Sequence, residues 1–351
     1  MNEPLVDEIA KAVLYEGYIL YPYRPSVKNA QRWSFGGLYP RAYCEEQQGA
    51  DAPSMQAQCV LNGDKKTTLR VSVRFLQLTA RSVELCIDGG SDQSPASFQP
   101  VHSLEVNGQS YLAWQEAVER RIEIEPIPIV DLLREKQQTF SLPASRHIEL
   151  LREADGRCAG RLVREQQAIE GTVEVTAEQK LPGVFRITAR VVNDVQMDPS
   201  LIKERDAALM RALVSTHIVL TLADGDFASQ TDPPPGLEPI VSECSNIGCW
   251  PVLVGEENDR RTMLASPIIL YDYPKLAPQS PGDLFDGTEI DEILTLRIMT
   301  LTDDEKRQVV AVDHRAADML ARTESLAREQ LMNLHGTVRT LQPAVCEEQH
   351  G

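Results

Sequence analysis

Between Leu69 and Phe75 apolar and polar residues alternate. Leu69, Val71, Val73 and Phe75 fall on one side of an extended chain, and Arg70, Ser72 and Arg74 on the other. Side chains of a strand point to opposite faces in turn, so this period of two predicts a half-buried β-strand. The parity then flips, because Leu76 and Leu78 are apolar and Gln77 is not, which predicts a bulge or the end of the strand. A second alternation runs through Val83, Leu85 and Ile87. Residues 121–130 (RIEIEPIPIV) alternate too, but Pro126 and Pro128 have no N–H to donate and confine the stretch to a sheet edge or a loop. The strongest hairpin signal joins Thr172–Ala177 to Val184–Val192 through Leu181-Pro-Gly. Its apolar sets are Val173, Val175 and Ala177 against Phe185, Ile187, Ala189 and Val191.

Elsewhere the signals are shorter. Residues 3–20 begin as a helix, and Pro22 and Pro25 stop regular structure after it. Residues 44–55 read as a loop. Asp206–Val214 reads as helix, followed by a strand near His217–Leu222, a stiff break at Asp232-Pro-Pro-Pro-Gly, and short strands at Trp250–Val254 and Pro267–Tyr271. After Pro281 the pattern turns helical. Thr302-Asp-Asp-Glu305 is a capping box, and Ala316, Leu320, Ala327, Leu331 and Leu334 form one apolar stripe. The expected fold is therefore α+β, with a mainly antiparallel β core, an N-terminal aromatic-basic arm and a C-terminal helical segment. The expected divisions are an arm at 1–55, a β-rich core at 56–280 and a helical segment at 281–351. If the core splits in two, the break falls near 131–160.

Charge narrows the function classes. Asp and Glu number 52 against 35 Lys and Arg, a formal net charge of −17. Nucleic-acid binding is driven by clustered Lys and Arg, so this balance argues against it. Uncharged runs are far shorter than the ~20 apolar residues that a membrane helix needs. The acidic N-terminus does not resemble a secretory signal. Seven scattered cysteines, an odd number, suit a reducing compartment better than a disulfide framework, and the cytoplasm is the expected location.

One segment departs from this acidic background. Tyr15–Tyr43 holds Tyr15, Tyr18, Tyr21, Tyr23, Trp33, Phe35, Tyr39 and Tyr43, with Arg24, Lys28, Arg32 and Arg41 against Glu16. Aromatic rings and guanidinium groups dominate binding hot spots, because they bury large areas while keeping a polar handle. Tyr21, Tyr23, Arg24, Lys28, Arg32, Trp33, Phe35 and Arg41 are therefore the candidate partner-binding residues. The competing reading is an arm whose rings simply fill grooves of the β core.

Two further clusters are weak metal candidates. Residues 283–292 (DLFDGTEIDE) carry Asp283, Asp286, Glu289 and Asp291, oxygen ligands of the kind that Mg²⁺ and Ca²⁺ take. The plainer reading is solvated carboxylates at the start of a helix, where its dipole favours anions. Cys244 and Cys249 flank Asn246-Ile-Gly248 and could share a soft metal. Nothing nearby in the chain supplies the other ligands of a tetrahedral site, and buried thiols are the expected outcome. Asp224-Gly-Asp226 with Asp232 reads as turn chemistry. No nucleophile elbow, phosphate-binding loop, dinucleotide fingerprint or zinc-protease motif occurs, so no catalytic residue and no cofactor are assigned.

Three stretches carry a resemblance. Tyr15-Glu-Gly-Tyr-Ile-Leu-Tyr-Pro-Tyr-Arg24, continuing to Arg32-Trp-Ser-Phe-Gly-Gly-Leu-Tyr-Pro-Arg41, is the first. Gly282-Asp-Leu-Phe-Asp-Gly-Thr-Glu-Ile-Asp-Glu-Ile-Leu-Thr-Leu-Arg-Ile-Met-Thr-Leu-Thr302 is the second, and Gly248-Cys-Trp-Pro-Val-Leu-Val254 the third. Together they resemble uncharacterised accessory proteins encoded beside bacterial uptake NiFe-hydrogenases. The resemblance implies a non-enzymatic accessory or assembly protein that docks on a hydrogenase subunit or precursor. Two alternatives stay open at this point. One is a divalent-metal-dependent hydrolase using the carboxylates of 283–292, and the other a permanent structural subunit of a hydrogenase complex.

Overall fold

A computed structural model of the chain describes residues 3–19, 36–88 and 97–274. In chain order the elements are α1 (Glu3–Ile19), α2 (Arg41–Gln47), β1 (Ser54–Asn62), β2 (Thr68–Asp88), β3 (Ser97–Val101), β4 (Ser103–Val106), β5 (Gln109–Leu112) and β6 (Trp114–Pro128). There follow α3 (Ile129–Leu132), β7 (Lys136–Leu142), β8 (Ser145–Arg152), β9 (Cys158–Gln166), β10 (Ile169–Leu181) and β11 (Val184–Asn193). The last are α4 (Arg205–Leu209), β12 (Val214–Leu222), β13 (Asp226–Phe227), α5 (Glu238–Ser242), β14 (Trp250–Leu253) and β15 (Thr262–Ser266). The described protein is mainly antiparallel β-sheet with few short helices.

The predicted hairpin forms as β10–β11, turned at Pro182-Gly183, where Gly183 takes the left-handed backbone (φ +76°) that such a tight turn favours. It lies within a five-stranded sheet of order β13-β1-β11-β10-β7. A larger sheet runs β14-β15-β12-β2-β9-β8, with β6 and β3 also paired to β2. The two sheets meet across the main core. Cys59, Val173, Ile187, Ala189 and Val191 of the smaller sheet pack with Val71, Val73, Phe75, Ile218, Leu220 and Met263 of the larger. All are buried, which makes this interface the dominant stabilising layer.

Strand β2 does not end at the parity flip. It continues unbroken for 21 residues, and the flip records a change in what covers it. Up to Phe75 the inner face meets the smaller sheet. Beyond it, Leu76 and Leu78 face outward and are buried by Tyr39, Tyr43, Leu209 and Ala212. Gln77 on the inner side is fully buried instead in a polar network. Its Nε2 donates to the Gln167 carbonyl (2.8 Å), and Arg120 Nε donates to its Oε1 (2.8 Å). Farther along, Val83 turns apolar again against Val106, Leu151 and Leu162, a small core roofed by the β4–β5 hairpin.

Strand β6 is an edge, as its prolines require. Pro126 falls at the register shift between Leu69↔Ile127 and Val71↔Ile124, where a bulge tolerates the missing N–H. Three expectations are corrected. Residues 44–55 are not all loop, because α2 reaches Gln47 and β1 starts at Ser54. The helix expected at Asp206–Val214 is the short α4, since Val214 already pairs with Leu76 in β12. The last strand is Thr262–Ser266 rather than Pro267–Tyr271, because Pro267 has no N–H with which to extend the ladder.

Candidate functional site

Of the candidate docking residues, Arg41 is described and stands exposed at the start of α2. Tyr21, Tyr23, Arg24, Lys28, Arg32, Trp33 and Phe35 lie outside the described residues, as do Asp283, Asp286, Glu289 and Asp291. The end of the aromatic island is described, and there its rings are core. Tyr39 and Tyr43 are buried with ring centroids 5.5 Å apart. Arg205 donates to Asp51 Oδ2 (2.7 Å) and to the hydroxyls of Tyr43 (3.0 Å) and Tyr39 (3.3 Å). For these two tyrosines the groove-filling reading holds. The chain enters this region at Gly36, whose backbone (φ +55°) lies hard against the Pro267 ring.

Pro267 belongs to a surface with a distinct character. β14 ends the larger sheet, and the turn after β15 comes back to it: Tyr273 N–H donates to the Leu253 carbonyl (2.7 Å), and Leu253 N–H to Asp272 Oδ1 (2.8 Å). Large apolar side chains stand out along the segments that border this edge. They are Ile247 (51% exposed), Trp250 (46%), Ile269 (71%) and Tyr271 (88%). Burying such side chains against a partner is favourable by roughly 1.5–3 kcal/mol each, so their exposure marks a surface suited to contact.

Under α1 the chemistry is electrostatic. Antiparallel pairing lines up Arg70 with Thr221, Ser72 with Val219 and Arg74 with His217, and it sets Arg121 of β6 beside Arg74. Helix α1 lays Val6, Ile9, Ala10 and Val13 on Val219, Val252 and Leu264, leaving a cleft of about 80 Å³ over Arg70, Arg74 and Thr221. The arginines there are held by carboxylates. Arg74, almost wholly buried, donates to Glu119 Oε1 (2.5 Å) and Asp7 Oδ1 (3.0 Å), and Arg121 pairs with Glu123 and Asp7. The network ties α1 to the sheet. Its sequence signal was the Arg70/Ser72/Arg74 face of the first recognised strand.

Next to Arg74, His217 is fully buried on a bulge where Ser215 takes φ +53°. Its Nδ1–H donates to the Ser215 carbonyl (2.6 Å), which leaves Nε2 as a lone-pair acceptor with no partner among the described residues. Burial, with Arg74 adding to it, pushes the imidazole down to about 4 against the opposing pull of the Ser215 carbonyl.

The structure brings Cys244 and Cys249 together with a third thiol, Cys59 of β1, that sequence reasoning did not connect to them. The segment is clamped to β1: Gln56 N–H donates to the Ile247 carbonyl and Ile247 N–H returns a bond to Gln56, both at 2.9 Å, while Asn246 Oδ1 accepts from Gln58 N–H (2.7 Å). Burial raises all three thiols, Cys249 to about 12, and Cys249 donates to the Gln56 carbonyl (3.1 Å). Thiols kept protonated are poor metal ligands. Among the described residues no cluster of three or more His, Cys, Asp or Glu is arranged to hold a metal.

Asp224-Gly-Asp226 is a turn leading into β13. Gly225 sits at φ +85°, where an added Cβ would lie 2.5 Å from the Asn62 carbonyl oxygen. Among the described residues no helix is long and apolar enough to cross a membrane. The chain matches no model of a known protein family and no curated protein.

Proposed function

We propose that this chain is a non-enzymatic accessory or assembly protein that docks on a NiFe-hydrogenase subunit or precursor in the cytoplasm. The observation that carries the docking part is the apolar edge at β14, where Trp250, Ile269 and Tyr271 stand exposed. That edge adjoins Gly36, the point at which the aromatic-basic stretch joins the described fold. In this reading residues 1–55 act as an arm and 281–351 as a helical segment flanking the β core. Tyr21, Tyr23, Arg24, Arg32, Trp33 and Phe35 supply docking anchors, and the Trp250 edge supplies a further contact surface. The choice of partner rests on the resemblance of Tyr15–Arg41, Gly248–Val254 and Gly282–Thr302 to proteins encoded beside hydrogenases. Under α1, Arg74 and Arg121 are held in ion pairs, and around Cys59 burial keeps the thiols protonated.

The test is an affinity pull-down of the tagged full-length protein from its own cells, with mass spectrometry of what it captures. A hydrogenase large or small subunit is expected. Recovery should fall at least about tenfold in an Arg24→Ala/Trp33→Ala double variant and in a Trp250→Ser/Tyr271→Ser double variant, the size expected when hot-spot anchors are truncated. Unchanged recovery and unchanged hydrogenase assembly in both variants would overturn the reading. Stoichiometric presence in the finished, active hydrogenase would make the chain a permanent subunit instead.

A further inference from the structure

Cys86 and Cys158 lie on neighbouring strands, β2 and β9, but plain alternation would keep them apart. Leu85 pairs with Gly160, so those two side positions share one face of the sheet. Cys158, two residues from Gly160, would share that face too, and Cys86 would point to the other. The register of β9 changes at this point. Leu151↔Gly160 is followed by Arg152↔Cys158, which leaves Ala159 as an extra, bulged residue. A bulge of this kind re-aims the side chain beside it. β2 has its own irregularity one residue beyond Cys86, between Cys86↔Phe98 and Asp88↔Ser97. The outcome is that Ala159 packs with Val83 and Leu162 on one face while Cys158 turns to the face that carries Cys86, near enough for its thiol to bias the ionisation of Cys86.

Both sulfurs are partly exposed and unoxidised, whereas Cys59 and Cys249 are buried in the main core. Each thiol also reaches a carbonyl on its own strand, Asp88 for Cys86 (3.4 Å) and Gly160 for Cys158 (3.6 Å). Arg161, on the strand that carries Cys158, is engaged elsewhere. Arg161 pairs with Glu84 (2.5 Å) and stacks 4.1 Å from the centroid of Phe98, the residue opposite Cys86. Desolvation first, then the neighbouring thiol and the Asp88 carboxylate, raise Cys86 above the ordinary thiol range. The pair is thus accessible, with Cys86 slow to ionise at neutral pH.

We propose that Cys86 and Cys158 form a dithiol site that small-molecule disulfides of the glutathione class oxidise to an intramolecular disulfide joining β2 to β9. The Cys86 thiolate attacks one sulfur of oxidised glutathione, forming a mixed disulfide and releasing one glutathione thiolate. The Cys158 thiolate then attacks the Cys86 sulfur and releases the second glutathione. Two protein thiols lose two electrons and two protons, which end on two molecules of reduced glutathione. The site reports the thiol–disulfide balance around the protein and stands apart from the Trp250 edge.

The experiment treats the full-length protein with oxidised glutathione, alkylates the remaining thiols and maps the peptides by mass spectrometry. The expected product is a Cys86–Cys158 linked peptide two hydrogens lighter than the reduced pair, with Cys44, Cys59, Cys244, Cys249 and Cys346 found as free thiols. Its rate of formation should rise about tenfold between pH 7 and 8, because the reacting thiolate is scarce over that range. In a Cys158→Ser variant, Cys86 should stop at the glutathione adduct. The proposal is overturned if wild-type protein keeps both thiols alkylatable, accumulates a stable glutathione adduct on either, or links one of them to a different cysteine. These readings on wild-type protein stand even if the variant does not fold.

Discussion

Acidification should weaken the fold through His217 in a way that one substitution can isolate. In the folded protein the imidazole is neutral, since burial and the adjacent Arg74 guanidinium push it from 6.5 to about 4. In the unfolded chain it takes up a proton below pH 6.5. A group whose folded pKa is depressed contributes stability that is fully present above the unfolded value and is lost as pH falls toward the folded one. The drop from 6.5 to about 4 corresponds to about 3 kcal/mol once both forms are titrated, at roughly 1.4 kcal/mol per unit. About 2 kcal/mol of that should already be gone between pH 7 and pH 5. The carboxylates of Asp7 and Glu119, which hold Arg74 beside the ring, are the same in both proteins compared. His217→Asn keeps an N–H able to reach the Ser215 carbonyl but cannot titrate. Urea unfolding of wild type and His217→Asn at pH 7 and pH 5 gives the double difference directly. Wild type should lose about 2 kcal/mol more than the variant over this interval. Parallel losses would show that Nε2 takes up a proton in the folded protein as readily as in the unfolded chain, and the account of its burial would be wrong.

Three other perturbations have defined outcomes in thermal or urea unfolding. Arg74→Met strands the Glu119 and Asp7 carboxylates and should cost about 2 kcal/mol, whereas Asp7→Asn, at a half-exposed position, should cost below about 1 kcal/mol. Equal losses would mean that the buried guanidinium is not what the network depends on. Gly225→Ala places a Cβ against the Asn62 carbonyl at φ +85° and should cost about 2 kcal/mol, measured as a lowered urea midpoint at unchanged slope. Ile187→Ala in the main core should cost about 3 kcal/mol, against less than about 0.5 kcal/mol for Ile269→Ala on the exposed edge.

The hairpin and the edge strand were legible because local sequence decides them. Val173 through Val191 alternate without interruption, and the prolines of β6 forbid a central position whatever the rest of the chain does. The β1, β7, β8 and β9 strands were not legible. In β1 (SMQAQCVLN) the alternating buried positions Met55, Ala57 and Cys59 are small or soft, and the strongly apolar Val60 and Leu61, also buried, come only at its end. β8 is exposed along nearly its whole length, so no apolar face advertises it. The helical signal over Asp206–Val214 was a real apolar cluster. Ala208, Leu209, Ala212 and Val214 all pack with Tyr39 and Leu76, but half of the cluster is reached through a turn and a strand. Much of the proposed docking region and all of the acidic segment fall outside the described residues. For these segments the sequence reading alone carries the proposal.

What sequence periodicity misses most consistently here is the effect of a single extra residue. Alternation assigns each side chain a face on the assumption that the register holds, and in this protein it shifts where the chemistry collects. The bulge between Val214 and His217 ends the regular β2–β12 ladder at the pair His217↔Arg74, where an imidazole and a guanidinium stand opposite each other. The bulge at Ala159 sends Cys158 toward Cys86. The shift near Pro126 bounds the regular β2–β6 ladder in which Arg121 stands opposite Arg74, and the two share Asp7. None of these contacts follows from spacing, because each depends on the partner strand as much as on its own. At the parity flip at Leu76, β2 itself gains no residue, the extra one lying opposite in β12, and the apolar face changes sides with the cover. A flip read from sequence therefore separates into two physical cases, a changed register or a changed neighbour, and only the pairing partner distinguishes them.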